Sequence, residues 1–113
     1  MSANGGFSLR DAQRRHRQWA IYNFGEHPAW QPLLGVVEEL GELAHAHLKA
    51  EQGIRTTEDH SAAKRDAVAD IVIYLMDYCS CEGIDLESTL EEVHAAVLKR
   101  DWKKSPGAAH ELA

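Results

Sequence analysis

The chain is predicted to be all-α, a four-helix bundle, and three observations carry that expectation. Apolar residues recur at three- and four-residue spacing in long stretches. Ser, Asp and Gly stand at helix-length intervals where caps and stops are wanted. No segment alternates apolar and polar residues over the length of a half-buried strand.

The first helix starts at Ser8, whose hydroxyl can cap while Asp11 completes a Ser-x-x-Asp box, and runs to about Phe24, with Gly25 as its stop. Its apolar positions Ala12, Trp19, Ile21 and Tyr22 are sparse, and Arg14, Arg15, His16 and Arg17 make one side basic. Two prolines in Gly25-Glu-His-Pro-Ala-Trp-Gln-Pro32 point to a loop. The second helix follows Pro32 and carries Leu33, Val36, Val37, Leu40, Leu43, Ala44, His47 and Leu48 as an apolar stripe, ending at Gly53. Residues 54–59 read as a polar loop, and Asp59 or Ser61 can cap the third helix. From Ala67 to Met76 that helix is apolar nearly all round, so it is expected to be central. Its β-branched residues would also suit a strand; length and the lack of alternation favour helix. Gly83 stops it and Asp85 caps a fourth helix bearing Leu86, Leu90, Val93, Val97 and Leu98, expected to end near Trp102. Residues 1–113 read as one domain with an ordered core of about 8–104, Ser105-Pro106-Gly107 closing the fold.

Eighteen acidic against twelve basic residues, a net charge of -6, argue against a nucleic-acid polymer as partner. They leave nucleotides open, because a bound metal reverses the local field. The longest apolar run is too short to span a bilayer, so no membrane partner is expected. Cys79 and Cys81 are too few and too close to staple a fold, and the opening residues carry no signal-peptide pattern. A cytoplasmic location is the expectation.

Chemistry concentrates in Glu38-Glu39-Leu40-Gly41-Glu42-Leu43 and Asp66-Ala67-Val68-Ala69-Asp70. At ~100° per residue, Glu39 and Glu42 adjoin on one helix face, while Glu38 projects from a more exposed side. Asp66, Asp70, Ile73 and Asp77 form a stripe on the next helix. A carboxylate amid apolar residues is costly unless a cation compensates it. Oxygen ligands in that number suit Mg2+, with Mn2+ as a substitute. The plain alternative is a solvated acidic helix face. Asp77 is the weaker member and can instead pair with an arginine of the first helix.

These residues resemble the MazG-like, all-α nucleoside triphosphate pyrophosphohydrolase superfamily. Its pattern is Glu-Glu-x-x-Glu, a spacer, then Glu-x-x-Asp followed by an apolar run. Glu38-Glu39-Leu40-Gly41-Glu42 matches the first half, and Asp70-Ile71-Val72-Ile73-Tyr74-Leu75 resembles the continuation. Lys99-Arg100-Asp101-Trp102-Lys103-Lys104 is similar to the basic end of the family's last helix, so the resemblance covers about residues 30 to 104. One position departs: the acid three residues before Asp70 is Ala67, and Asp66 stands beside it.

The resemblance implies hydrolysis of nucleoside or deoxynucleoside triphosphates to monophosphate and pyrophosphate, by water attack at the α-phosphorus. Magnesium would be held by Glu39, Glu42, Asp66 and Asp70, with Glu38 orienting or deprotonating the water. It also implies a homodimer or homotetramer. Lys49, Arg55, Lys99 and Arg100 are candidate phosphate contacts, although cations near helix ends are ordinary surface features. Trp30 is the candidate base platform, with Phe24 and Trp19 behind it, and His94 a further nucleotide contact. Two rivals stand beside this reading. One is a non-catalytic nucleotide-binding or interaction module. The other is a di-iron bundle built on Glu42-Leu43-Ala44-His45 and Glu91-Glu92-Val93-His94, a spacing that seven histidines also produce by chance.

Overall fold

A computed structural model describes residues 6–53 and 59–104. Among them are four helices and no strand: α1 (Leu9–Phe24), α2 (Trp30–Gln52), α3 (His60–Cys81) and α4 (Leu86–Leu98). The predicted caps and stops are where local chemistry put them. Ser8 Oγ accepts from the Asp11 amide, Asp59 from that of Ala62, and Asp85 from that of Ser88. Gly25, Gly53 and Gly83 all adopt positive φ just past a helix, a conformation in which a Cβ is strained.

Two boundaries differ from expectation. α2 begins at Trp30, so Pro32 is its third residue rather than its threshold. The first helical bond runs from the Leu33 amide to the Ala29 carbonyl, and proline's missing donor costs nothing one residue earlier. α4 ends at Leu98, short of Trp102. The Asp101 side chain accepts from the amides of Lys103 and Lys104, a local turn that competes with further helix.

α2 packs along α3, α1 also contacts α3, and α4 rests on α1. Tyr74 lies against Gly35, where an added Cβ would come within 2.5 Å of its ring. Asp70 acts electrostatically on Glu39 one turn further along. Residue numbers therefore rise along α2 as they fall along α3, and the two are antiparallel. Gln13 joins α1 to the α3–α4 turn: its amide donates to the Ile84 carbonyl at 2.8 Å and its oxygen accepts from the Leu86 amide at 2.9 Å. At the same end Arg10 bridges Asp85 at 2.8 Å and Glu87 at 3.0 Å.

The buried apolar residues are Ala20, Ala46, Ala67, Met76 and Cys79, and among the described residues no large side chain is fully buried. α3 contacts both α2 and α1, yet its apolar run is not sealed, and Val68 remains 52% exposed. Asp70 is accordingly half-buried, not enclosed. Among the described residues no helix is long and apolar enough to cross a membrane.

Candidate functional site

α1, α2 and α3 together enclose a cleft of about 460 Å³. Its acidic wall is Glu39 from α2 with Asp70 and Asp77 from α3. Its aromatic wall is His16, Trp19 and Phe24 from α1 with Tyr74 from α3. His16 stacks on Trp19 with centroids 5.3 Å apart, and Phe24 meets Trp19 edge-on at 5.5 Å. Desolvation, and secondarily the neighbouring Asp70, Glu38 and Glu42 charges, raise the Glu39 carboxyl above its usual range. Desolvation also lowers His16 below the usual imidazole value, against the opposing pull of Asp77.

The predicted residues divide into those at the cleft and those away from it. Glu39 and Asp70 share it, and no hydrogen bond or ion pair to them is found among the described residues. Glu38, Glu42 and Asp66 are exposed and do not line it. Glu42 is one turn beyond Glu39, and Asp66 one turn before Asp70. Among the described residues, no three of Glu39, Glu42, Asp66 and Asp70 bring ligand oxygens within 4.8 Å of one another. Ala67, three residues before Asp70, is 4% exposed. The antiparallel register sets it level with Glu42.

Trp30 is 59% exposed and off the cleft, whereas Trp19 and Phe24, expected to stand behind it, form the aromatic wall. Lys49 is half-buried near the end of α2, and His94, Lys99 and Arg100 are exposed on or just after α4; none lines the cleft. Arg55 lies outside the described residues. Glu42, His45, Glu91 and His94 are all exposed, so neither Glu-x-x-His pair points into a core.

Sequence reasoning missed a polar cluster around the buried Asp77. His27, in the α1–α2 loop, sets Nε2 at 2.8 and 2.9 Å from the two Asp77 oxygens. Its Nδ1 lies 2.8 Å from the Gly25 carbonyl. Asp77 therefore pairs with this histidine rather than with an arginine of α1. Cys81, one turn past Asp77, faces Asp77 Oδ1 at 3.8 Å and the His27 carbonyl at 3.6 Å. The Gly25 carbonyl, then Asp77, raise the His27 ring above its ordinary value. Burial, then the Asp77 charge, push the Cys81 thiol up. The available signal was the Asp77-x-x-x-Cys81 spacing, but nothing local linked it to a histidine fifty residues away.

A cleft with two unpaired carboxylates facing flat aromatic rings can hold a hard cation at one wall and a planar group at the other. No family model, curated protein or solved structure matches the chain.

Proposed function

We propose that the chain is a magnesium-dependent hydrolase that cuts nucleoside or deoxynucleoside triphosphates to monophosphate and pyrophosphate. The observation that carries the reading is the meeting of Glu39 and Asp70, from antiparallel helices, in a cleft whose other wall is aromatic. Magnesium commonly takes one or two protein carboxylates and completes its shell with water and substrate phosphates, so this pair fits it. Glu39 and Asp70 would hold the ion, and Glu42 and Asp66 would supply negative charge at its rim. An ion bound there would supply positive charge to the phosphates and lower the pKa of a water. Trp19 and Phe24 stack the base, placing the α-phosphate toward the acids. Glu38, one position from Glu39, orients or takes a proton from water arriving from the exposed side.

Self-association belongs to the same proposal. Leu34, Val37, Leu40 and Leu48 of α2, Val68 of α3, and Leu90 and Val93 of α4 are more than half exposed. Apolar surface of that extent is usually covered, and a homodimer or homotetramer does so.

The test is a panel of nucleoside and deoxynucleoside triphosphates with magnesium, scored for pyrophosphate and monophosphate. Glu39→Gln and Asp70→Asn are each expected to cut turnover by on the order of 10²–10³-fold, the scale for losing one preorganised electrostatic group. Their helical circular dichroism should be unchanged. Release of inorganic phosphate and a nucleoside diphosphate would put the cut at the wrong bond. Tight nucleotide binding without any cleavage would favour a non-catalytic binding module.

A further inference from the structure

His27, Asp77 and Cys81 form a cluster that includes neither Glu39 nor Asp70. We propose that His27, Asp77 and Cys81 bind a single Zn2+ ion, leaving its fourth position to water. The three side chains each offer one ligand atom, and these atoms all lie within 4.8 Å of one another. Nitrogen, oxygen and thiolate donors together suit zinc and poorly suit magnesium.

Distances support the fit. Zinc bonds of about 2.0–2.3 Å at tetrahedral angles separate ligand atoms by roughly 3.3–3.6 Å. The Nε2 to Oδ1 distance of 2.8 Å must open slightly, and the Sγ to Oδ1 distance of 3.8 Å must close slightly. Both are within reach of small side-chain rotations.

The surroundings are those of a ligating histidine. Nδ1–H of His27 donates to the Gly25 carbonyl at 2.8 Å, the outer-shell bond that leaves Nε2 as the metal-facing nitrogen. Nε2 meets only carboxylate oxygens, so without a metal one proton must lie between the ring and the carboxylate. The His27 and Asp77 side chains are 7% and 11% exposed, and Cys81 is half-buried. Arg17 Nη1 approaches Cys81 Sγ at 3.7 Å and supplies a donor to a thiolate. Zn2+ with one carboxylate and one thiolate is neutral overall, which removes the cost of an isolated buried charge. On binding, the Nε2 and Sγ protons leave to solvent and no oxidation state changes.

The experiment uses the full chain, stripped by a chelator and titrated with zinc against a chromophoric competitor, then with Co2+ as a spectroscopic stand-in. One zinc per chain is expected, undisturbed by millimolar magnesium. Cobalt should give visible d–d bands and a near-ultraviolet thiolate charge-transfer band. The isosteric Cys81→Ser should abolish the charge-transfer band and weaken zinc at least tenfold, with helical circular dichroism unchanged. Cys79→Ser should keep both signals. His27→Gln should also weaken zinc at least tenfold. Zinc uptake no tighter in the unaltered chain than in Cys81→Ser would overturn the site. So would a charge-transfer band that survives Cys81→Ser, or displacement of zinc by magnesium. None of these readouts involves nucleotide turnover.

Discussion

Two acidic regions of α3, two turns apart, face opposite situations. Asp77 is buried and answered by the chain itself: His27 from a distant loop takes both its oxygens, and Cys81 stands beside it. Asp70 is half-buried and faces another acid, Glu39, with no protein cation against it among the described residues. Without any metal the first arrangement already has a protein counter-charge in place, and among the described residues the second has none. In the metal-free chain the two acids therefore differ in whether the protein itself supplies a counter-charge.

The sharpest way to break this contrast is to remove one counter-charge from each region. His27→Leu in chelated protein leaves Asp77 buried and unpaired. It is expected to lower unfolding free energy by about 3 kcal/mol in urea titration, the scale for breaking a buried pair. Glu39→Gln should leave stability unchanged or raise it, because it relieves repulsion from Asp70. Equal losses in both variants would erase the distinction.

The α2–α3 seam gives the next largest effect. Gly35→Ala forces a methyl group toward the Tyr74 ring, so the helix-propensity gain of about 1 kcal/mol is overtaken by overpacking of about 1–3 kcal/mol. A lower denaturation midpoint is expected. At Gly41 nothing lies within 4 Å of an added Cβ, so Gly41→Ala should stabilise by about 1 kcal/mol. The pair of variants reports whether the helices approach where the structure brings them together.

The smallest effect is in pH. The Gly25 carbonyl and Asp77 raise the folded-state value of His27 above 6.5, while burial and the nearby Arg17 oppose them. A raised value means that the imidazolium stabilises fully below the unfolded value and that this share fades as pH climbs through the folded one. Chelated protein should thus lose stability on going from about pH 6.5 upward. His27→Leu should show a flatter profile over the same range.

Much of this was legible residue by residue. Ser8, Asp59 and Asp85 as caps, and Gly25, Gly53 and Gly83 past helix ends, follow from chemistry within three or four positions. Asp70 stood out because it interrupts an apolar run, and Glu39 because it adjoins Glu42 beside an apolar stripe. Which of their acidic neighbours share the cleft was not legible, because that depends on the register between α2 and α3. Trp30 looked like the ring exposed to a ligand, but α1 crosses α3 so that Trp19 and Phe24 reach the cleft instead.

By itself, the order of residues determined four helices, most of their ends, and the two helices that carry the unpaired acids. These are short-range matters, settled by caps, glycine conformations and the helical repeat. Only the tertiary structure decided that Asp77 has His27 for a partner and that Ala67 is buried while Asp66 is not. Those outcomes depend on which faces meet when helices distant in the chain pack together, and no local spacing encodes that meeting.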